Sequence, residues 1–170
     1  TINFYLLFIL LVSTTLIQVK AQNIEEAIRL SHAGKYNEAE IVFTKLLDND
    51  EKNVNILIAS GFNNAWNKKF FAAKNRFQSA LKIESFNQDA TKGLAYSYLY
   101  QGCFPKAARI FSDLSKIHPS SEEYHIALGL AYMNMQKKNK ATTEFEKAFK
   151  INNGNKEVKK YLSQIKTEKA

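Results

Sequence analysis

A repeat of 34 residues, free of insertions and deletions, is the feature that most limits how this chain can fold. An alanine recurs at that spacing as Ala39, Ala73, Ala107 and Ala141, and a phenylalanine follows each of them by four residues. These phenylalanines are Phe43, Phe77, Phe111 and Phe145. Self-similarity at a fixed period of about 20–50 residues is the signature of stacked repeat proteins. The sequence therefore predicts several copies of one structural unit.

The earlier half of each copy carries a second recurring position, which is always small: Ala27, Gly61, Ala95 and Gly129. With this position, residues 20–155 resemble the tetratricopeptide repeat family, whose repeat is a pair of antiparallel helices of this length. Small residues let paired helices approach closely, and each phenylalanine is expected to fill the space beside the next hairpin. The resemblance implies an all-α, right-handed superhelical solenoid without strands. Its four repeats are expected at residues 20–53, 54–87, 88–121 and 122–155.

Some positions depart from the family's pattern. The glycine in the turn between paired helices is present as Gly34 and Gly102 but replaced by Lys68 and Gln136, which leaves the geometry of those two turns open. Asn64 stands in a column that otherwise holds large residues: Leu30, Tyr98 and Tyr132. Lys138 stands where the other repeats have an aromatic residue: Tyr36, Phe70 and Phe104. A degenerate last repeat beside a cap would explain the lysine.

Beyond the fourth repeat, residues 156–170 are expected to form a helix that caps the stack. Gly154 ends the preceding helix, and an apolar stripe follows at helical spacing: Val158, Tyr161, Leu162 and Ile165. The opposite side carries lysines: Lys156, Lys159, Lys160, Lys166 and Lys169. Terminal caps of solenoids need such a polar outer face. The alternative is a basic helix that binds a membrane or a partner.

Residues 1–21 have the pattern of a secretory signal peptide. No charged residue occurs before Lys20, the segment Phe4–Val12 is an unbroken apolar run, and small residues place a cleavage site after Ala21. The chain is then expected to be exported, to the periplasm or the extracellular space. The alternative is an uncleaved N-terminal membrane anchor, although a span needs about 20 apolar residues and this stretch is interrupted by polar ones.

In this family the first helix of each repeat lines a concave groove, so register alone proposes the side chains that face it. They are Ile58, Phe62, Trp66, Lys92, Tyr96, Tyr100, Leu130 and Asn134, with Ile126 beside them and Ile24, Ile28 and His32 as counterparts in the first repeat. Aromatic side chains are enriched at interface hot spots because they bury much area with few rotors to freeze. The resemblance and this pattern predict a groove that binds a peptide or a partner helix.

The same groove side chains could instead only pack between helices, and that alternative stays open at this point. Asn55, Asp89 and Glu123, at the mouth of the groove, are expected to be solvated. One subset of the family clamps the acidic tail of a heat-shock chaperone with lysine and asparagine side chains on this face. Here Lys92 is the only lysine on the face, and its central column is apolar or aromatic, so that specialised function is disfavoured.

No catalytic, cofactor or metal site is expected, and we predict that the chain is not an enzyme. The only histidines are His32, His118 and His125, and no cysteine or carboxylate arrangement around them matches a metal site. Cys103 is the only cysteine, and it lies at a helix turn without a preset base. No phosphate-binding glycine loop, paired-carboxylate site or serine triad is present.

The net charge of +8 is unevenly distributed along the chain. Residues 22–53 carry −3, residues 54–121 carry +6 and residues 122–170 carry +4. Many basic residues, among them Lys74, Arg76 and Lys106, fall on second helices, whose outer face is convex, and a solvated face is the default interpretation. An anionic envelope component is a further candidate partner, whereas nucleic acid is not expected for an exported chain.

The sequence therefore predicts a non-catalytic tetratricopeptide scaffold that binds a protein or peptide through its groove, within a bacterial cell-envelope assembly. The alternative is a structural spacer or oligomerisation module that acts through the end of the stack or the basic convex face. The sequence does not specify the partner or the oligomeric state.

Overall fold

A computed structural model describes residues 24–167, which form nine α-helices and no strand. The first helix, α1, covers residues 24–32 of the described chain. The others are α2 (Tyr36–Asn49), α3 (Val54–Trp66), α4 (Phe70–Ile83), α5 (Gln88–Tyr100), α6 (Phe104–Ile117), α7 (Glu122–Asn134), α8 (Lys138–Ile151) and α9 (Lys156–Thr167). The all-α class expected from the sequence is confirmed.

The chain divides into two compact units, Thr1–Ser85 and Phe86–Ala170. The N-terminal unit contains α1–α4, and the C-terminal unit contains α5–α9. In the N-terminal unit α3 packs against both α2 and α4. In the C-terminal unit each helix from α5 to α9 packs against the next one along the chain. Each unit thus has its own set of packed neighbouring helices.

Four helices begin on a side-chain N-cap that itself recurs every 34 residues. Asn53, Asn87, Ser121 and Asn155 each accept a hydrogen bond from the backbone N–H three residues later, at 3.2, 3.0, 3.4 and 3.1 Å. Such an acceptor satisfies one of the N–H groups that a helix leaves unpaired at its start. The caps therefore define equivalent starting points for α3, α5, α7 and α9. By this register α9 is the first helix of a fifth repeat.

The turns between paired helices share one backbone conformation, including the two turns that lack glycine. Gly34 and Gly102 have φ angles of 75° and 78°, and Lys68 and Gln136 both have 59°. In all four turns this residue donates its N–H to the carbonyl three residues earlier, and the next residue donates to the carbonyl five residues earlier. This pair of bonds is the Schellman motif. The motif holds the lysine and the glutamine in a left-handed conformation that costs each of them roughly 1 kcal/mol, so the loss of glycine does not alter the turn.

The repeated phenylalanines form the centre of the core. Phe43, Phe77, Phe111 and Phe145 are all fully buried. Two of the recurring small residues, Gly61 and Gly129, lie directly against these rings. A Cβ added to Gly61 would lie 2.7 Å from Phe77 Cε1, and one added to Gly129 would lie 2.7 Å from Phe145 Cε1. Because these rings are enclosed, even a methyl group at either glycine would force the core to move.

Helix α9 covers the last helix hairpin. Val158 and Ile165 are buried against α8, and the ring of Tyr161 stacks on Phe145 with centroids 4.9 Å apart. The Tyr161 hydroxyl donates a hydrogen bond to Glu157 on the same helix. Burial, together with this hydrogen bond, raises the pKa of Tyr161 to about 12. The phenol therefore stays a donor at neutral pH and orients the ring over Phe145.

Residues 1–21, where a signal peptide or an anchor is expected, lie outside the described part of the chain. None of the helices within residues 24–167 combines the length and the apolar composition needed to cross a bilayer.

Candidate partner-binding surfaces

In the N-terminal unit, Phe62 and Trp66 on α3 form a stacked pair whose outer ring is exposed. Their centroids lie 6.1 Å apart at an interplanar angle of 27°, and 48% of the Trp66 surface is exposed. Phe62 is half-buried and meets the buried ring of Phe77 edge-on at 5.0 Å. The His32 ring, at the end of α1, lies 5.6 Å from Trp66. We define His32, Ile58, Phe62 and Trp66 as the N-terminal aromatic surface; Ile58 is half-buried, one turn before Phe62.

The C-terminal unit contains the same arrangement with tyrosines. Tyr96 and Tyr100 on α5 stack with centroids 6.2 Å apart at 20°, and 62% of the Tyr100 surface is exposed. Tyr96 is half-buried and meets the buried ring of Phe111 edge-on at 4.9 Å. We define Lys92, Tyr96 and Tyr100 as the C-terminal aromatic surface. In both units a core phenylalanine supports an inner ring, and the inner ring supports an exposed outer ring.

Polar contacts position the start of the C-terminal aromatic surface. The Tyr96 hydroxyl donates to Glu123 Oε1 on α7 at 3.0 Å. Burial and then the negative charge of Glu123 raise the pKa of Tyr96 well above its usual range, so the phenol remains a donor. Glu123 is exposed, as expected for a solvated residue, but it also fixes this tyrosine. Lys92 is half-buried with its Nζ 3.7 Å from Asp89 Oδ1, so the lysine is directed along its own helix.

The predicted groove residues of the fourth repeat do not present an exposed ring. Leu130 and Ile126 are half-buried and pack against the core formed by α8 and α9. Asn134 is exposed, and its Nδ2 donates to the Leu130 carbonyl at 2.9 Å. Among the described residues, therefore, the aromatic character of the predicted groove is found in the second and third repeats. In the fourth repeat Leu130 serves as a packing residue.

A polar cluster in the N-terminal unit was missed by sequence reasoning. Glu40, half-buried on α2, accepts hydrogen bonds from three side chains of α3. Asn64 Nδ2 donates to its Oε2 at 2.9 Å, Asn63 Nδ2 at 3.1 Å and Ser60 Oγ at 3.3 Å. These three donors are buried. Ser31 of α1 joins the cluster through its Oγ, which donates to Asn63 Oδ1 at 2.8 Å. The cluster therefore connects α1, α2 and α3 behind the aromatic surface.

The Glu40 cluster explains why Asn64 is polar and why Arg76 is half-buried. Asn64 replaces the large side chain of the other repeats because it supplies a donor to Glu40. Arg76 on α4 was expected on a solvated convex face, and that expectation is wrong: its Nη2 lies 3.5 Å from Glu40 Oε1, and both side chains are half-buried. Within residues 24–167, no buried side-chain nitrogen or oxygen lacks a hydrogen-bond partner. The cluster is therefore fully satisfied.

The two histidines of the C-terminal unit, His118 and His125, contact different polar partners. His118 Nε2 lies 3.0 Å from Gln88 Nε2, and His125 contacts Glu144 Oε2 at 2.7 Å and the Pro119 carbonyl at 3.1 Å. Among the described residues, no group of three or more histidine, cysteine or carboxylate side chains is placed to hold a metal ion. Cys103, half-buried, directly precedes α6.

Solved structures share this helical arrangement. MamA from Desulfovibrio magneticus RS-1, residue 41 to its end, matches with a TM-score of 0.82 and 17% identity over 88% of this chain and 85% of that chain. A thermophilic tetratricopeptide repeat protein of Thermus thermophilus matches with a TM-score of 0.68 and 14% identity over 89% of this chain and 83% of that chain. The fold is that of the tetratricopeptide repeat proteins.

MamA from AMB-1 also matches, with a TM-score of 0.74 and 15% identity over 88% of this chain and 81% of that chain. No family model matches the sequence, and no curated protein matches it. At these identities the likeness establishes the fold, so any function has to be argued from the side chains of this chain.

Proposed function

We propose that this chain is a non-catalytic tetratricopeptide scaffold that binds a protein or peptide partner through its two aromatic surfaces. One observation carries the proposal: Trp66 and Tyr100, which are 34 residues apart, both stay exposed while they stack on an inner ring that the core supports. Tryptophan and tyrosine dominate interface hot spots. A ring that is already held in place loses little conformational entropy when a partner covers it.

The chemistry of the surfaces favours a segment with apolar side chains and an accessible backbone. The rings of Trp66 and Tyr100 offer apolar area, and the indole N–H and phenol O–H offer polar ends for a partly hydrated interface. The N-terminal aromatic surface carries no carboxylate and no lysine, so recognition there depends on shape and apolar burial more than on charge. Amphipathic helices and extended peptides both meet this description.

The double substitution Trp66→Ala with Tyr100→Ala tests the proposal. Because each truncated hot-spot aromatic typically costs about 2 kcal/mol of binding free energy, partner affinity should fall about 1,000-fold. The measurement is crosslinking and capture of the partner from the cell-envelope fraction, followed by titration of the purified partner. Helical content and melting temperature should stay close to those of the wild type, since both rings are at the surface.

The matched control is Phe71→Ala with Phe86→Ala, which also removes two exposed aromatic rings. Phe71 is 66% exposed and Phe86 is 96% exposed, and neither belongs to the aromatic surfaces. The control should capture the partner as the wild type does. Unaltered capture by the Trp66 and Tyr100 variant, or an equal loss in the control, would contradict binding through these surfaces.

We further propose that the protein acts in the bacterial cell envelope after export. The support is the apolar run Phe4–Val12 followed by the cleavage pattern that ends at Ala21. Sequencing the amino terminus of the mature protein is the direct test, with Gln22 expected as the first residue. A mature chain that retains the Phe4–Val12 run would instead support the anchored form.

A further inference from the structure

The positive charge of the C-terminal unit is concentrated on its last two helices. Residues 137–167 hold nine lysines, no arginine and three carboxylates, a net charge of +6. Residues 86–136 hold four basic and four acidic residues and are neutral. The described part of the N-terminal unit, residues 24–85, has a net charge of +1. The repeated fold does not account for the whole of this charge, because the equivalent segments 35–65, 69–99 and 103–133 carry −2, +3 and 0.

Seven of these lysines form two rows, one on each of these two packed helices, which we define together as the lysine surface. The rows are Lys140, Lys147 and Lys150 on α8, and Lys156, Lys159, Lys160 and Lys166 on α9, all exposed. On α8 the lysines are seven and three residues apart. On α9, Lys159 and Lys160 follow Lys156 by three and four residues, and Lys166 follows Lys159 by seven, so each row falls on one face of its helix. Lys159 Nζ lies 5.7 Å from the centre of the Phe149 ring, so the α9 row borders α8, whereas Lys140 Nζ lies 5.6 Å from the centre of the Tyr132 ring on α7.

The carboxylates of the same segment neutralise only part of this charge. Glu144 is buried, and its Oε1 accepts a hydrogen bond from Lys147 Nζ at 2.8 Å while its Oε2 faces His125. Glu157 accepts a hydrogen bond from the Tyr161 hydroxyl on the same helix. Two of the three carboxylates are therefore held by groups of the protein. The lysine surface keeps a net positive charge over both helices.

The uncharged residues beside the lysine surface favour a bilayer over single-stranded nucleic acid. Ile151, at the end of α8, is 42% exposed. The rings of Phe149 and Tyr161 are half-buried, with Lys159 over Phe149 and Tyr161 stacked on Phe145. Nucleic-acid bases need exposed rings on which to stack. A bilayer surface instead requires cations for its headgroups and an aliphatic side chain that can enter the interfacial region.

We propose that the lysine surface docks the protein on a bilayer that contains anionic phospholipids. Lysine is a compact, hydrated point charge on a flexible stem, which can follow mobile headgroups, whereas arginine is favoured where a structured partner needs a fixed bidentate contact. The absence of arginine from residues 137–167 fits the first case. This docking uses different residues from the aromatic surfaces, so it does not depend on the proposed binding of a peptide.

Co-sedimentation of the full chain with vesicles tests the docking. One set of vesicles contains phosphatidylcholine with about one third phosphatidylglycerol, and the other contains phosphatidylcholine alone. The triple substitution Lys150→Gln, Lys156→Gln and Lys160→Gln should lower the affinity for the anionic vesicles about 100-fold, since each lysine near an anionic surface contributes about fivefold. Raising the salt concentration from about 0.1 M to about 1 M should release the wild-type chain. The apolar run Phe4–Val12 is uncharged, so the ratio of the affinities for the two vesicle types measures the contribution of the lysines.

The control variant Lys45→Gln, Lys52→Gln and Lys82→Gln removes three lysines from the N-terminal unit and should retain the affinity for anionic vesicles. Equal binding of the wild type to both vesicle types, or equal losses in the two triple variants, would overturn the proposal. The proposal would also be overturned if the wild type bound polyglutamate or a single-stranded oligonucleotide as tightly as anionic vesicles, and if the Lys150, Lys156 and Lys160 variant lost that binding as well. The lysine surface would then select negative charge in general and not a bilayer. Circular dichroism of both variants verifies that the fold is retained.

Discussion

Replacement of Phe111 by alanine is expected to lower the free energy of unfolding by about 3–5 kcal/mol. The ring is fully buried and belongs to the core of α5, α6 and α7. It meets Tyr96 edge-on at 4.9 Å and lies 6.4 Å from Tyr124. Truncation removes the transfer energy of the ring and leaves a cavity that neighbouring helices cannot fill completely. Urea denaturation followed by far-ultraviolet circular dichroism measures the loss.

The exposed Phe71 provides the control for this substitution. Phe71 is on the surface of α4, with Lys74 Nζ 4.2 Å above its ring, so Phe71→Ala should cost no more than about 1 kcal/mol. A similar loss at both positions, or a loss below about 1 kcal/mol at Phe111, would show that the repeated phenylalanine is not central to the core. Phe111→Ala should also weaken partner binding, because the inner ring Tyr96 loses its support.

The repeat spacing, through the resemblance to the tetratricopeptide repeat family, was sufficient to predict the helices and their core. Ala73 and Phe77 lie one turn apart on the same helix face, and the same pair recurs in every repeat, so a pattern that is weak in one copy becomes decisive in four. The turns at Lys68 and Gln136 could not be predicted from these two residues, since neither favours a positive φ. There the repeat context decides, because the Schellman hydrogen bonds form whichever side chain is present.

The site was less predictable, because its supports are contacts between different helices. Trp66 and Tyr100 could be proposed from register, and each has an exposed ring. The partner of Tyr96 is Glu123, 27 residues later, and no periodicity identifies that pair. Leu130 shares a column with Phe62 and Tyr96 but packs against the core formed by α8 and α9. Register finds equivalent positions, whereas the neighbours of each position differ from repeat to repeat.

The sequence indicates the donors of the Glu40 cluster but does not identify their acceptor. Ser60, Asn63 and Asn64 place three polar side chains on one part of α3, in a helix whose other residues are mostly apolar. Buried polar groups of this kind need partners. Glu40 is one of several carboxylates in the first repeat, and only the packing of α2 against α3 selects it.

The substitution Glu40→Ala is expected to lower the free energy of unfolding by about 3 kcal/mol. It removes the acceptor shared by Asn63, Asn64 and Ser60, each of which is buried and would lose a hydrogen bond. Arg76 would also lose its carboxylate partner. A buried donor that loses its acceptor typically lowers the free energy of unfolding by about 1–3 kcal/mol. Water that reaches the half-buried site should reduce this loss by hydrogen bonding to some of the donors. Denaturation in urea gives the difference from the wild type.

Glu38→Ala is the matched control, because Glu38 is on the same helix and also forms an ion pair. Its Oε2 lies 3.3 Å from Lys35 Nζ, but both side chains are more than half exposed, so the loss should stay under about 1 kcal/mol. Glu40→Gln retains one acceptor oxygen but turns an amide NH2 toward the donors, so its cost should fall between the two. A Glu40→Ala variant as stable as Glu38→Ala would mean that water satisfies the α3 donors equally well. The cluster would then not be what holds α2 against α3 behind Trp66.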